Sequence, residues 1–336
     1  MYPSRTEIIT AMRNPQISFK ASEIEGGSTI SKGSRIIQYS GGYTSVFPFH
    51  LKDSNKVALR CWVADIGDAK KRSQKISTFL EQLKSSYFCG FKYVDDALLI
   101  NGVLFPIVLM DWVDGKTLKE YINDHSSNLE NILPALAERF KEMVSYLHEK
   151  GIAHGDLQHG NIMVRADGSL AIIDYDSMYI PSLKGMKDTI KGLEGYQHPK
   201  RNSNKNIHEK LDYFSELIIY LSLLAFAEYP DLWDRYYKTE DILFSKEDLL
   251  KPNSSSLINK LIQSGNSTIT ELTVKLKEQL SVNDINNLLP LEYVIVNKLD
   301  QIKDDISSKW DQQPNPPNNR KETKINADIH DISNKF

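Results

Sequence analysis

Two short apolar runs separated by a turn sequence form the most regular pattern in this chain. Residues 162–164 and 170–173 are apolar and rich in β-branched side chains, which favour strands. The segment between them contains Asp167-Gly168, a pair typical of a tight hairpin turn. The pattern therefore predicts a two-stranded hairpin, with polar residues gathered at the end opposite the turn.

Apolar residues recur at helical spacing in four longer segments. Ser4 and Glu7 have the spacing of a capping box at the start of the first helix, and Gly151 is suited to end the third. The fourth segment is apolar on all sides, as expected of a helix buried in a core. In chain order, the helices are predicted at residues 4–12, 69–83, 132–150 and 217–227.

Strand-like sequence is found between the first and second predicted helices and again between the second and third. Two strands flank the turn residues Gly41 and Gly42. Two shorter strands are predicted at residues 91–94 and 97–100, and Asn101-Gly102 has the composition of a hairpin turn. Glycines between two strands allow backbone N–H groups to approach phosphates closely.

The last third of the chain carries weaker signals. Residues 229–299 predict three or four short helices joined by loops rich in Asn and Ser. From Gln312 the sequence is polar and rich in proline, so we expect a disordered tail or a linker.

Composition narrows the class of protein. The chain has 336 residues, 40% hydrophobic residues and a net charge of −3, as in an ordinary soluble globular protein. This charge is too small to favour binding to nucleic acid or to an acidic membrane, and the apolar run at 217–227 is too short to span a bilayer. The two cysteines fit neither a disulfide framework nor a metal site. Charges near the N-terminus leave no room for the apolar core of a signal peptide, so we expect a cytoplasmic protein.

Three polar side chains are brought to one end of the predicted hairpin. Asp156 and Asn161 precede its first strand, and Asp174 follows its second. Two carboxylates and an amide oxygen are hard ligands of the kind that Mg²⁺ prefers, with waters and substrate phosphates completing its coordination. The chemistry indicated is phosphoryl transfer, in which positioning and neutralisation of charge supply most of the catalysis.

Around these residues the chain resembles the protein kinase-like superfamily, in a divergent bacterial serine/threonine form. His154, Asp156 and Asn161 have the spacing of the family's catalytic loop, and residues 174–176, Asp-Tyr-Asp, occupy the place of its Asp-Phe-Gly motif. The form His-Gly-Asp-Leu-x-x-Gly-Asn is also shared with small-molecule kinases.

The resemblance implies an α+β, bilobal protein kinase-like fold. A small lobe would hold an antiparallel sheet and one helix, and a larger lobe would be mainly helical. The implied divisions are an N-terminal extension at 1–34, the small lobe at 35–113, the large lobe at 114–310 and a polar, disordered tail at 311–336.

The resemblance also implies that the chain binds ATP and Mg²⁺. Asp156 would orient the substrate hydroxyl, and Asn161 and Asp174 would hold the metal ion. The positions that would contact the nucleotide lie in the glycine turn, on the next strand and at the hinge between the lobes: Gly41, Gly42, Ala58, Arg60, Met110, Asp111 and Val113.

Two cationic positions of the family are changed in this chain. Arg60 stands where a lysine would bridge the phosphates to a helix glutamate, and the helix at 69–83 has no acidic residue at the matching place. Gln74 is the nearest acceptor on that helix, since Glu81 lies too far along. Gln158 replaces the lysine that helps to neutralise the transferred phosphate, and Arg60 could substitute for that charge. The other candidates are Lys184, Lys187 and Lys191.

Residues 177–200 resemble the family's activation segment, and that name is used for them below. Gly155 replaces the arginine that grips a phosphate on this segment in many relatives, so we expect no switching by that route. Leu193 stands where a threonine would contact Asp156. Asp212, which opens the apolar helix, is expected to anchor the catalytic loop through backbone N–H groups.

Three functional hypotheses remain open on the sequence alone. The first is an active kinase that phosphorylates a protein substrate or itself. The second is a pseudokinase that binds nucleotide and acts as a regulatory or scaffolding module, as the changes at Arg60 and Gln158 would allow. The third is a small-molecule kinase.

Overall fold

A computed structural model describes residues 2–64 and 67–295. The predicted tail at 311–336 and the end of the predicted large lobe, 296–310, lie outside the described residues.

An antiparallel sheet is the central element of the first part of the chain. Its strands, in spatial order β1-β5-β6-β8-β7 with β4 paired to β5, are β1 (Ser28–Thr29), β4 (Tyr39–Ser40), β5 (Thr44–His50), β6 (Lys56–Trp62), β7 (Phe91–Ile100) and β8 (Val103–Asp111). A separate two-stranded ribbon is formed by β2 (Ser31–Lys32) and β3 (Arg35–Ile36).

The prediction of two strands at 91–94 and 97–100 is wrong, because β7 is one strand. Its pairing with β8 shifts register between Val94 and Leu98, where Asp96 adopts a left-handed backbone conformation with φ of 48°. Such a bulge lets polar residues interrupt the apolar alternation without ending the strand.

The two faces of the sheet carry different cores. On β6, Leu59 and Cys61 face one core, and the alternate positions Ala58 and Trp62 face the other. The first core is covered by the N-terminal helices α1 (Arg5–Arg13) and α2 (Pro15–Ser18). It includes Ile8 and Met12 of α1 and Phe19, the residue that follows α2. The predicted capping box of Ser4 and Glu7 is present at the start of α1. The residues before the sheet are therefore part of its packing.

The other face of the sheet packs against α3 (Ala69–Leu83), a helix with the predicted bounds. Ile76 and Leu80 of this helix are buried in the same core as Val108 and Met110 of β8. Arg60 has the same orientation as Ala58 on β6, so its side chain points toward this face and is only 4% exposed.

The rest of the described chain is mainly helical. A small sheet, in the order β11-β10-β9, is formed by β9 (Lys116–Thr117), β10 (Ile162–Val164) and β11 (Leu170–Ile172). The helices are α4 (Leu118–Asp124), α5 (Leu129–Glu149), α6 (Tyr213–Glu228), α7 (Asp231–Tyr236), α8 (Lys246–Leu250), α9 (Ser256–Ile262), α10 (Ser267–Leu280) and α11 (Leu291–Val294).

The helix α6 lies at the centre of this second part. Leu217, Ile218 and Ile219 point in different directions from its axis and are all fully buried, as its uniformly apolar sequence predicts. It packs most extensively against α5, the amphipathic helix predicted before Gly151. The expected α+β architecture, a sheet-based part with one packed helix followed by a helical part, is confirmed. None of the helices in the described residues is long and apolar enough to cross a membrane.

Candidate active site

The predicted hairpin brings the polar residues together. Ile162 pairs with Ile172 and Val164 with Leu170 in the antiparallel ladder of β10 and β11. At the end opposite the turn, the N–H of Ile173 donates to the carbonyl of Asn161 over 3.0 Å. Residues just before β10 and just after β11 therefore lie side by side.

Asp212 holds the loop before β10 from within the helical core. Its side chain is 1% exposed, and its carboxylate accepts hydrogen bonds from the backbone N–H of His154 and, over 2.8 Å, from that of Gly155. His154 is also buried, and its Nε2 donates to the carbonyl of Ile173 over 2.8 Å. The predicted anchoring role of Asp212 is confirmed, and it fixes the loop because buried carboxylates need such donors.

Asn161 and Asp174 each place a side-chain oxygen at this end of the hairpin. The Nδ2 of Asn161 donates to the carbonyl of Asp156 over 2.9 Å, which leaves its Oδ1 as an acceptor with no donor among the described residues. Asp174 uses Oδ1 to accept from Arg60 over 3.0 Å, and its carboxylate also interacts with the backbone N–H of Asp176. Its side chain is 49% exposed. An amide oxygen and a carboxylate oxygen placed in this way fit a magnesium ion.

Asp156 is held by the activation segment. Its Oδ1 accepts from the N–H of Leu193 over 3.0 Å, so a backbone group supplies the contact that the resemblance assigns to a threonine side chain. A Cβ atom on Gly192 would lie 2.6 Å from the same oxygen. Burial raises the pKa of Asp156, although His154 and the Leu193 N–H oppose the rise and the charge of Asp174 adds to it. The raised pKa favours accepting a proton.

Arg60 joins the sheet to this cluster. One terminal nitrogen donates to Asp174 over 3.0 Å, and the other contacts Asp176 and, over 3.4 Å, the hydroxyl of Thr44. Burial opposes the charge of Arg60, but the two carboxylates outweigh it and raise its pKa. Desolvation of the Asp174 carboxylate raises its pKa, but the charge of Arg60 outweighs this effect, and the pKa of Asp174 is lowered.

The prediction that Arg60 finds its acceptor on the following helix, at Gln74, is wrong. The guanidinium forms no hydrogen bond or ion pair with α3 and instead pairs with Asp176, a residue to which the sequence alone assigned no role. Burial raises the pKa of Asp176 to about 6, with Arg60 lowering it and Asp174 raising it. The signal that could have identified this residue is an acid at the third position of the Asp-Tyr-Asp motif, where the family has glycine.

Comparison with known proteins agrees with this geometry. The protein kinase domain family matches residues 40–276, more than two thirds of the chain. The chain belongs to the protein kinase domain family.

Individual relatives match shorter stretches of this kinase domain. A probable serine/threonine-protein kinase of Streptomyces coelicolor is 24% identical over 130 residues, 38% of this chain and 19% of its own length. The probable serine/threonine-protein kinase mkcC of Dictyostelium discoideum is 29% identical over 139 residues, 40% of this chain and 15% of its own. The serine/threonine-protein kinase CST20 of Candida albicans is 27% identical over 188 residues, 55% of this chain and 15% of its own. The chain thus spans less than one fifth of each of these relatives.

The expected nucleotide-binding residues of the kinase domain lie on the sheet and just after it. Gly41 and Gly42 are at the tip of the hairpin between β4 and β5, and Arg5 of α1 donates to the carbonyl of Gly41 over 2.6 Å. Ala58 and Met110 are direct partners in the β6–β8 ladder. The glycine turn of this kinase domain is therefore tied to its N-terminal helix.

The hinge residues differ in what they can offer. The Asp111 carboxylate accepts from the N–H of Gly90 over 3.0 Å, so its side chain is already used within the sheet. No hydrogen bond is formed by the backbone N–H or carbonyl of Val113 to any described residue. Free backbone groups at the expected hinge can pair with the edge of a base.

Tyr175 fixes the position of its two acidic neighbours. It is fully buried against Phe88 and Phe91, and its hydroxyl donates to the carbonyl of Ile172 over 2.7 Å. The same hydroxyl accepts from the N–H of Cys89 over 2.9 Å. A buried tyrosine with both hydrogen bonds satisfied has little freedom to move. Asp174 and Asp176, on either side of it, are therefore held in place.

The helix α3 contacts the activation segment through cations. Arg72 is buried and donates to the carbonyls of Met178 over 3.3 Å and Lys187 over 3.1 Å. Lys75 donates to the carbonyl of Ser182 over 2.5 Å. Sequence reasoning did not find this contact, because backbone carbonyls leave no signature in a sequence.

A buried ion pair fastens the activation segment to the catalytic loop. Arg201, 2% exposed, binds Asp188 through two nitrogens over 2.8 and 3.0 Å. It also donates to the carbonyl of Gly155 over 3.0 Å and to Oε1 of Gln197 over 2.8 Å. Burial opposes the charge of Asp188, but Arg201 outweighs it and lowers the pKa of that carboxyl.

The lysine position of the catalytic loop remains neutral. Gln158 turns back on its own loop, where its Oε1 accepts from the N–H of Gly160 over 2.7 Å. Of the cations considered as substitutes, Arg60 lies at Asp174, and Lys191 is bound to Asp188 over 3.2 Å. The remaining two are exposed on the activation segment: Lys184 and Lys187.

Proposed function

We propose that this chain is a Mg·ATP-dependent protein kinase that transfers the γ-phosphate to a serine or threonine hydroxyl of a protein substrate or of the chain itself. The observation that carries the proposal is the meeting of Asp156, Asn161 and Asp174 at one end of a hairpin, with the guanidinium of Arg60 bound to Asp174. Family membership and the printed names of the serine/threonine kinases that it resembles support the same activity.

The roles of the acidic residues follow from their hydrogen bonds. The Oδ1 of Asp156 is held by the Leu193 N–H, and its raised pKa suits a group that orients a hydroxyl and accepts its proton. Asn161 Oδ1 and Asp174 Oδ2 are the oxygens that would bind magnesium. The bound metal would neutralise charge on the phosphates.

Arg60 and the hinge would hold the nucleotide from the other side. The guanidinium has five donors in a fixed plane, so it can retain its contact to Asp174 while also donating to a phosphate oxygen. The adenine would lie over Ala58 and beside Met110, with the backbone of Val113 pairing to its edge.

One observation favours a second function, a pseudokinase that binds nucleotide without transferring phosphate. The terminal nitrogens of Arg60 are already engaged by two carboxylates and a hydroxyl, and Gln158 supplies no charge. If these contacts do not exchange when ATP binds, the phosphates meet no cation from the chain at this place.

The test is transfer of labelled phosphate from [γ-³²P]ATP and Mg²⁺ to a mixture of Ser-, Thr- and Tyr-containing peptides. The variants are Asp156→Asn and Asp174→Asn. The matched control is Asp167→Asn, the same exchange at the exposed turn of the same hairpin. Label on Ser or Thr that is lost in the two site variants and kept in the control supports the kinase. Mg·ATP binding with no transfer by the wild type supports the pseudokinase.

A further inference from the structure

A cavity of 590 Å³ lies beside the activation segment and includes none of the residues discussed above as binding metal or nucleotide. Its walls come from three segments, within residues 179–185, 203–209 and 283–286, with Lys200 at one side. The volume is within the range of about 300–1,000 Å³ that ligand sites occupy in proteins.

The walls of this cavity are fixed to one another before any ligand arrives. The N–H of Ile207 donates to the carbonyl of Met186 over 2.9 Å, which ties the second wall to the activation segment. Lys210, next to the second wall, donates through Nζ to the carbonyl of Asn286 in the third wall over 2.7 Å. A preformed site loses less conformational entropy on binding than one that must be assembled.

The cavity carries unpaired positive charge. Its acidic lining residues are Glu209 and Asp284, and Asp284 already accepts two hydrogen bonds from Asn286, over 2.9 and 2.8 Å. Three lysines line it and form no ion pair with any residue that the structure describes: Lys184, Lys200 and Lys205. They belong to a stretch, residues 178–210, with seven Lys and Arg against three Asp and Glu, although the whole chain has 41 and 44.

His208 is the one histidine among the described residues that line this cavity. Its Nδ1 accepts from the N–H of Lys210 over 3.2 Å, so in the neutral ring the proton is on Nε2. That Nε2 is buried and has no partner among the described residues. Burial lowers the pKa of His208, and the charge of Arg201 lowers it further, which keeps the ring neutral.

We propose that this cavity is a docking site for an acidic segment of polypeptide in the protein substrate. Lys184 lies within the activation segment, Lys200 is its last residue and Lys205 follows it. The positive charge is therefore spread over a space larger than one small anion fills. A chain with several carboxylates can reach all three lysines at once. The binding itself is independent of the proposed kinase activity, and only the identification of the peptide as part of a substrate rests on it.

Docking in this cavity would favour the reaction by holding the substrate near Asp156. Lys184 is part of the activation segment, and Leu193 of the same segment holds Asp156. A substrate tethered by an acidic stretch would therefore have a raised local concentration near Asp156.

Binding of a fluorescent decapeptide rich in Asp and Glu tests the proposal, measured by anisotropy on the full chain carrying Asp156→Asn. That background prevents turnover, so failure of the kinase hypothesis does not affect the result. We expect the acidic peptide to bind at least about tenfold more tightly than its Asn/Gln counterpart, with an affinity that falls as salt rises.

A triple variant locates the binding. Lys184→Gln, Lys200→Gln and Lys205→Gln together should weaken the acidic peptide about tenfold, because each exposed pair contributes modestly and the three act together. The matched control removes three exposed lysines elsewhere, with the same change of net charge: Lys20→Gln, Lys238→Gln and Lys251→Gln.

The outcomes decide between specific docking and general attraction. Weakening by the cavity variant alone supports the proposal. Equal weakening by both triple variants, equal binding of the acidic and neutral peptides, or binding of inorganic phosphate without binding of the peptide would overturn it.

Discussion

The guanidinium of Arg60 on β6 pairs with the carboxylate of Asp176, 116 residues further along the chain. In the family that this chain belongs to, the strand cation is expected to pair with a glutamate on the helix after it. Here the partner lies two residues beyond Asp174, on the other side of the buried Tyr175. Arg60 is thereby held by the same segment whose Asp174 is proposed to bind the metal ion.

The helix α3 therefore has a different role in this chain from the one expected in the family. The helix α3 reaches the activation segment through Arg72, which donates to backbone carbonyls, and α3 forms no hydrogen bond or ion pair with Arg60. Movement of α3 would therefore act on the segment first. Arg60 would be affected only when Asp174 and Asp176 move with it.

Gly192→Ala should separate orientation of the hydroxyl from nucleotide binding. The added methyl group would lie 2.6 Å from Asp156 Oδ1, at a residue with φ of +75°. We expect the rate of transfer to fall about a hundredfold as Asp156 is displaced, with the Kd for Mg·ATP unchanged. The measurements are steady-state transfer and nucleotide titration.

The control for that variant is Gly265→Ala, at a residue with φ of +81° and open space around its Cα. It imposes a similar backbone cost without touching Asp156. Equal loss of transfer in both variants would contradict the account.

Arg201→Met should cost about 3–5 kcal/mol in the free energy of unfolding, because it leaves the buried Asp188 without its bidentate partner. Urea unfolding measures the loss. Arg235→Met, at an exposed position on α7, should change the same quantity by less than about 0.5 kcal/mol. A loss below about 1 kcal/mol for Arg201→Met would show that the pair does not stabilise the fold as described.

Transfer should not depend on phosphorylation of the activation segment. The buried carboxylate of Asp188 already pairs with a cation that also binds the catalytic loop at Gly155, so the segment is fastened without an added phosphate. Phosphatase-treated and untreated protein should transfer phosphate at equal rates. A large drop after treatment, reversed by incubation with Mg·ATP, would contradict this prediction.

The stabilising contribution of protonated His148 should be lost as the pH rises. Burial lowers its pKa, but Glu216 and Glu292 raise it more, to about 9. A pKa raised above the ordinary 6.5 means that the folded state binds the proton more tightly than the unfolded state. The stability gained in this way is complete below pH 6.5 and lost as the pH passes 9, by up to about 3 kcal/mol.

Urea unfolding at pH 6.5 and pH 9 checks this contribution. The wild type should lose more stability over that interval than His148→Gln, which has no titrating ring. His50→Gln, at an exposed histidine on β5, should behave as the wild type does. The same pH dependence in all three proteins would exclude His148 as its source.

Local patterns predicted much of this fold. The hairpin of β10 and β11 and the helix α3 have bounds close to those expected, because each depends on spacing within one segment. The buried helix α6 was also expected, although it begins four residues before the predicted apolar run at 217–227. The anchoring role of Asp212 was also predictable, since a carboxylate at the start of so apolar a helix must find buried donors.

Ion pairs between residues far apart in the sequence could not be predicted in this way. Gln74 was favoured for Arg60 by helical spacing alone, whereas Asp176 becomes its neighbour only once the hairpin packs against the sheet. The pair of Asp188 and Arg201 joins two irregular segments and follows no periodic pattern. The continuous strand β7 was missed because Asp95 and Asp96 break the apolar alternation at its bulge.

The most direct test of the central claim is the Kd for Mg·ATP in a double-mutant cycle of Arg60→Met and Asp176→Asn. If Asp176 acts by holding Arg60 for the phosphates, each single variant should weaken binding about tenfold or more. The double variant should then be no weaker than Arg60→Met alone. Additive losses in the double variant, or full affinity in Asp176→Asn, would contradict the claim that Asp176 is the functional partner of Arg60.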